Sequence, residues 1–218
     1  MLAVREIAGI LDSNAFQFGF RSGCGTTDAI FIVRQLQERY LEKKEELCMA
    51  FVDLEKAFDR VSRDVVWWAL RQLGVDEWLV SAIMATYTEV TTAVRLNGME
   101  SPGFEVNVGV HQGSVLSPLL FIVVLEALSK AFRIGLPWEL LYADDLVLIA
   151  ETEEELLDML KRWKEGMELK GLRVNIGKTK VMKCQYRSEQ VENSEKYPGG
   201  VCRKGVGVNS VLCTRSKK

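Results

Sequence analysis

The sequence predicts an α+β fold in which an antiparallel sheet packs on helices. Two apolar runs, residues 138–142 and 146–150, flank a short polar turn and predict a β-hairpin. Residues 47–53 form a third buried-strand pattern. Residues 153–168 carry apolar side chains at helical spacing, which is typical of an amphipathic helix. Strands and helices mix without a βαβ repeat, and this favours α+β over a doubly wound sheet.

The remaining segments supply further helices and one more strand pair. Four segments carry helical patterns, and they are residues 27–43, 64–73, 76–88 and 114–132. We expect Thr27 or Asp28 to cap the first of them. Residues 94–97 and 104–108 predict a strand pair joined through residues 98–103, which contain two glycines and a proline.

Two adjacent acids, Asp144 and Asp145, lie in the turn of the predicted hairpin. An ionised carboxylate that leaves water loses several kcal/mol or more of hydration unless a positive charge compensates it. No Lys or Arg occurs between Ile134 and Lys161. Two compatible interpretations follow: the acids are ordinary turn residues, or the turn presents them to a divalent metal.

A third acid, Asp53, ends the buried-strand pattern of residues 47–53. If this strand lies beside the hairpin, Asp53 comes next to Asp144 and Asp145. Three carboxylates in one place repel one another and raise one another's pKa values unless a metal neutralises them. Two Mg²⁺ ions bridged by carboxylates and substrate phosphates are the usual solution for nucleotidyl transfer.

Four ordered motifs resemble the palm motifs of reverse transcriptases. They are AFVDLEKAFDRV (residues 50–61), GVHQGSVLSPLLF (109–121), YADD (142–145) and GLRVNIGKTKVM (171–182). The chain most resembles the enzymes of non-LTR, LINE-type retrotransposons, in particular an RTE-like branch. QFGFRSGCGTTDAI (17–30) is similar to the segment that enters the palm from the fingers in that family.

The resemblance implies a polymerase palm that acts as an RNA-directed DNA polymerase. The implied partners are an RNA template, a DNA primer and dNTPs, and the implied cofactor is Mg²⁺, with Mn²⁺ as a substitute. In the implied reaction the primer 3′-hydroxyl attacks the α-phosphate of a dNTP, with one metal activating the nucleophile and a second stabilising the pyrophosphate.

The resemblance also assigns the catalytic residues. Asp53 and Asp144 match the two metal-binding aspartates, and Asp145 matches the third acid of the site. Lys178 matches a lysine that neutralises or protonates the leaving pyrophosphate, a task that suits a flexible ammonium group. The alternative for Lys178 is a solvated lysine in a turn.

Four further residues match nucleotide-binding positions, each with an alternative. Phe58 matches an aromatic ring that excludes the ribose 2′-hydroxyl, or it is a core residue. Gln112 and Gly113 match a nucleotide and template contact, or they precede the helix start. Arg21 is a candidate phosphate contact or a surface arginine. His111, the single histidine, is interpreted as structural or close to phosphate rather than catalytic.

The motifs divide the chain into partial fingers (residues 1–45), a palm (46–184) and a flexible basic tail (185–218). No motif of the chain corresponds to the earlier fingers motif or to a thumb. We therefore expect a reverse-transcriptase domain that is truncated at both ends, with no thumb.

The tail contains a degenerate zinc-knuckle remnant. Cys202 and Cys213 are halves of two Cys-x-x-Cys pairs whose partners are Gly199 and Ser216. A structural zinc site needs four ligands and glycine supplies none, so no zinc is expected.

Charge and cysteine content constrain the setting. Residues 183–218 hold 8 Lys and Arg and 3 Asp and Glu, a net charge of +5. Because the whole chain has a net charge of −2, residues 1–182 carry −7. This predicts weak intrinsic affinity for nucleic acid. The sequence has five cysteines in unlike settings, no secretory signal and no apolar run long enough to span a bilayer. We therefore expect an intracellular protein, cytoplasmic or nuclear, that is neither secreted nor membrane-bound.

Two other functions stay open from the sequence. A catalytically silent retroelement remnant would act at most as an RNA- or protein-binding module. An intron-encoded splicing cofactor would carry a related palm. The acids at 53, 144 and 145 favour the polymerase.

Overall fold

The computed structural model describes residues 2–11, 17–21, 23–185 and 201–204. The helices of these residues are α1 (Leu2–Leu11), α2 (Thr26–Lys43), α3 (Ala57–Arg60), α4 (Arg63–Gln72), α5 (Glu77–Ala85), α6 (Leu116–Ser129) and α7 (Glu153–Glu168). The strands are β1 (Leu47–Val52), β2 (Thr91–Thr92), β3 (Arg95–Leu96), β4 (Met99–Glu100), β5 (Phe104–Glu105), β6 (Glu139–Tyr142), β7 (Asp145–Ala150), β8 (Lys180–Gln185) and β9 (Val201–Lys204).

Five strands form one antiparallel sheet in the order β6-β7-β1-β8-β9. β6 and β7 are the predicted hairpin, and β1 is the strand predicted at residues 47–53. β1 lies between β7 and β8, and all its residues except Phe51 are buried. This double-sided burial explains why the segment is a continuous apolar run instead of an alternating pattern.

Helices pack on both faces of this sheet. The main core lies between one face and helices α1, α4, α6 and α7, with Phe121 and Trp163 among its largest fully buried side chains. α6 is apolar on all sides because it is enclosed by the other elements. On the other face, α2 packs Val33 and Leu36 against a smaller cluster that includes Leu47.

The predicted helices are confirmed, and all of them except α7 have shifted ends. The helix predicted at 76–88 ends at Ala85, and the helix predicted at 114–132 is the shorter α6. Neither Thr27 nor Asp28 is the N-cap residue of α2, which is Gly25. Asp28 caps the helix from inside its first turn, where its carboxylate accepts a hydrogen bond from the Gly25 amide at 2.8 Å.

The predicted pairing of residues 94–97 with 104–108 is wrong. β3 pairs with β4 across a two-residue turn, and β5 pairs with β2 instead. The turn residues Asn97 and Gly98 have φ values of 51° and 79°. Asn-Gly is the preferred pair for a tight type I′ hairpin, which requires positive φ at both positions, and this local signal sets the pairing.

β9 is a strand that the sequence did not predict, paired with β8 at the edge of the sheet. The rest of the expected tail, including Cys213 and the other remnant positions at 199 and 216, lies outside the described residues. Among the helices that the structure describes, none is both long and apolar enough to cross a membrane.

Candidate active site

The hairpin of β6 and β7 presents Asp144 and Asp145 at its tip. Tyr142 and Asp145 form the last pair of the ladder, so Ala143 and Asp144 are the two turn residues. Ala143 is buried and has a φ of 55°. Asp144 is half-buried, and Asp145 is the more exposed of the two. The predicted turn is therefore confirmed, and it projects its acids at the edge of a buried sheet.

The end of β1 brings Asp53 to the same edge. Val52 lies opposite Leu146, and continuing this antiparallel register by one residue sets Asp53 beside Asp145. The loop before β8 holds the Asp53 backbone, because the Asn175 amide donates to the Asp53 carbonyl at 2.8 Å. The Asp53 amide faces the Thr179 hydroxyl oxygen at 3.5 Å.

Asn175 and Thr179 are supporting residues that sequence reasoning missed. Thr179 is buried, and its hydroxyl donates to the Asn175 carbonyl at 2.8 Å. The sequence does contain a signal for these two residues. NIGKT (residues 175–179) is a polar loop directly before a strand, and polar side chains of such loops hydrogen-bond nearby backbone groups.

The acids interact unfavourably with one another. Partial burial, followed by the charges of Asp144 and then Asp53, raises the pKa of the Asp145 carboxyl above its ordinary value. The Asp53 Oδ2 atom is buried and has no hydrogen-bond partner among the described residues. The ammonium of Lys178 lies 3.9 Å from this oxygen, too far for a hydrogen bond but close enough for an ion pair.

These features fit a divalent cation, although the protein alone does not complete its ligand set. Within the described ranges, no group of three or more His, Cys, Asp or Glu side chains is arranged to hold a metal ion. Mg²⁺ usually takes one or two protein carboxylates and completes its shell with water and substrate phosphates. In the described part of the chain, the buried Asp53 oxygen accepts no hydrogen bond and lies beside like charges, and it supplies that partial set.

A cavity of about 690 Å³ opens beside the acids, between α2 and the sheet. Its lining includes Asp53, Asp145 and Lys178, together with the apolar side chains of Phe51 and Val147. The volume lies within the roughly 300–1,000 Å³ typical of ligand sites. The structure thus brings together two of the predicted acids and the predicted lysine at one opening.

The predicted nucleotide contacts do not line this cavity. None of Arg21, Phe58, Gln112 and Gly113 is among its described lining residues. Phe58 is half-buried on α3, and its ring stacks on Phe121 with centroids 4.7 Å apart. Phe58 therefore makes the core contact that was the alternative to nucleotide binding, and its role in sugar selection stays a prediction.

The loop that carries Gln112 is fastened to the segment that carries Phe58. The Val110 backbone amide donates to the Phe58 carbonyl at 2.9 Å, and the Gln112 side-chain Nε2 donates to Asp59 Oδ1 at 2.6 Å. Gly109 touches this segment so closely that an added Cβ would lie 2.8 Å from the Asp59 carbonyl oxygen. Gln112 and Phe58 are thus held as neighbours.

His111 has structural contacts in the same loop. Its ring stacks on Tyr87 with centroids 4.1 Å apart, and the guanidinium of Arg63 lies over the Tyr87 ring. Its backbone carbonyl accepts a hydrogen bond from the Ser117 hydroxyl at 2.5 Å. These contacts agree with the structural interpretation of His111.

Comparison with protein families decides the assignment. The model of the family described as reverse transcriptase (RNA-dependent DNA polymerase) matches residues 3–199. The chain belongs to the reverse transcriptase family. The predicted membership is confirmed, and the relatives are polymerases of non-LTR retrotransposons; the RTE-like branch stays a prediction.

Two relatives of this chain are much longer proteins. It is 33% identical, over 74% of its own length, to the retrovirus-related Pol polyprotein of the type-2 retrotransposable element R2DM of Drosophila melanogaster. It is 28% identical, over 71% of its length, to the RNA-directed DNA polymerase of the mobile element jockey of the same species. The chain spans 16% and 18% of these two relatives.

Solved structures confirm the fold. The chain superposes on telomerase of Candida albicans with a TM-score of 0.64 at 15% identity, over 83% of this chain and 34% of that one. It superposes on apo telomerase of Candida tropicalis with a TM-score of 0.63 at 16% identity, over 83% and 36%. The predicted α+β palm, with an antiparallel sheet packed on helices, is therefore correct.

Proposed function

We propose that this chain forms the palm of an intracellular RNA-directed DNA polymerase, which extends a DNA primer with dNTPs on an RNA template. The observation that carries the proposal is the meeting of Asp53, Asp145 and Lys178 at one cavity. Residues 1–45 would contribute to the fingers, 46–184 would form the palm, and 185–218 would form a basic tail.

The three acids are proposed to hold Mg²⁺, or Mn²⁺ in its place. Two observations support this: among the described residues the buried Asp53 Oδ2 atom has no hydrogen-bond partner, and partial burial together with the charges of Asp144 and Asp53 raises the pKa of Asp145. When bound, the cation supplies the positive charge that offsets the acids and the phosphates of the substrate. The sheet contributes by keeping the carboxylates at fixed positions before substrate arrives.

The remaining predicted residues would orient the nucleotide. Lys178 is exposed and reaches Asp53, so its ammonium can neutralise the leaving pyrophosphate at the same site. Phe58 and Gln112 are neighbours, and we assign the sugar to Phe58 and a nucleotide or template contact to Gln112 and Gly113. Arg21 is assigned to the triphosphate.

Primer extension on an RNA template tests this function. The chain, alone and joined to complete fingers and thumb segments, is incubated with labelled primer, dNTPs and Mg²⁺. Asp53→Asn should lower incorporation at least about a hundredfold, because a preorganised charge that acts on the transition state has this order of effect. Asp158→Asn, which changes an exposed acid on α7, should not.

Two results would reject the proposal. One is equal nucleotide incorporation by the active extended chain and by its Asp53→Asn variant. The other is the absence of any nucleotide incorporation by the extended chain. If that chain still bound RNA, the result would favour a catalytically silent binding module.

A further inference from the structure

Gln17, from the segment that precedes α2, makes a contact that ties it to the acid-bearing turn. Its side chain is buried, with 6% of its surface exposed. The carboxamide oxygen accepts two backbone hydrogen bonds, from the Gly19 amide at 2.9 Å and from the Ala143 amide at 3.0 Å. Ala143 is the turn residue directly before Asp144.

The backbone around Gln17 reinforces this contact. Gln17 forms a parallel bridge with Leu141, and the Phe18 amide donates to the Leu141 carbonyl at 2.8 Å. Gly19 lies so close to the turn that an added Cβ would be 2.5 Å from the Ala143 nitrogen. Residues 17–19 therefore form a clamp along the strand end and the turn.

The turn needs such a clamp for two reasons. Ala143 has a φ of 55°, a left-handed conformation that is unfavourable for a residue with a side chain. Its buried amide would also lack an acceptor, because the first residue of a two-residue hairpin turn makes no ladder bond.

We propose that Gln17 is a positioning residue of the polymerase site, whose carboxamide oxygen holds the Ala143 turn so that Asp144 and Asp145 stay beside Asp53. This inference rests on the proposed function. The Gln17 Nε2 atom has no hydrogen-bond partner in the described part of the chain. The acceptor oxygen is thus the part of the side chain that acts, and it carries no charge that would add to the repulsion.

Gln17→Met tests the role of this oxygen, because Met has a similar length and no strong acceptor. Two properties are measured on the full chain: hydrogen–deuterium exchange of the peptide that covers 140–146, and the affinity for Mn²⁺ from paramagnetic titration. Loss of one buried hydrogen bond should speed exchange at the turn and weaken Mn²⁺ binding, each on the order of fivefold.

Two control variants separate positioning from general destabilisation. Gln35→Met makes the same chemical change on the exposed surface of α2, where Gln35 bonds Glu38. Ile83→Val removes a methyl group from the core at α5, far along the chain from the turn, and lowers stability without touching the clamp. Neither control should change Mn²⁺ affinity. Should Gln17→Met not fold, Gln17→Asn, which keeps the polarity but shortens the reach, should give the same two changes.

The outcomes distinguish this inference from the proposed function. Faster exchange and weaker Mn²⁺ binding in the Gln17 variant alone would support it. Unchanged exchange and affinity in that variant, or an equal loss of affinity in Ile83→Val, would overturn it while leaving the polymerase site intact. Absence of Mn²⁺ binding by the original chain would instead overturn the proposed metal site, and the positioning role with it.

Discussion

Replacing Gly109 by Ala should separate the Gln112 loop from the Phe58 segment. Gly109 has a φ of 77°, so any side chain there adopts the left-handed conformation, at a cost of about 1–2 kcal/mol. The new Cβ would also lie 2.8 Å from the Asp59 carbonyl oxygen and 2.9 Å from that of Phe58. Both contacts are with backbone, which cannot rotate away.

Gly74 supplies a matched control for the conformational cost. Its φ is 78°, and an added Cβ there meets no atom within 4 Å. Gly74→Ala should therefore cost only the conformational part, about 1–2 kcal/mol. We expect Gly109→Ala to cost roughly 1–3 kcal/mol more, the usual range for overpacking. The effect of Ala on the unfolded chain is the same in both variants and cancels.

Urea unfolding followed by tryptophan fluorescence measures the difference. With a slope of about 1–3 kcal/mol per molar urea, an added cost of this size shifts the midpoint by roughly 1 M. In a polymerase assay of the extended chain, Gly109→Ala should also raise KM for dNTP more than Gly74→Ala does. Equal midpoints for the two variants would refute the reasoning, because they would show that the loop retreats from the added methyl without cost.

Three further predictions follow from the site. Asp145→Asn should stabilise the chain at neutral pH, because the folded-state pKa of Asp145 is raised and the original chain therefore loses stability as pH rises through that pKa. Thermal melts should show a higher melting temperature for the variant at neutral pH, and the difference should vanish on acidification. A difference that does not depend on pH would contradict this. Mg²⁺ or Mn²⁺ should raise the melting temperature, and Asp144→Asn should reduce that gain; an undiminished gain would exclude Asp144 as a ligand. In an extended, active chain, Phe58→Val should increase ribonucleotide incorporation while keeping deoxynucleotide use, and unchanged discrimination would assign Phe58 to packing on Phe121 alone.

Local sequence patterns determined most elements of this fold. The apolar runs on either side of Asp144 and Asp145 predicted the hairpin and its turn. This was possible because both strands and the turn between them are consecutive in the sequence. The stripe of residues 153–168 predicted α7 to the residue at both ends. The Asn97-Gly98 pair also contained a local signal, and neglecting it produced the wrong strand pairing.

Tertiary structure alone decided the contacts that hold these elements together at the site. Nothing near Gln17 in sequence indicates that its side chain bonds Ala143, 126 residues away. The stacking of Phe58 on Phe121 and the packing of α2 over one face of the sheet also join residues far apart in sequence. Periodicity specifies which face of an element is buried, whereas the partner of that face depends on the shape and volume of every other element in the core.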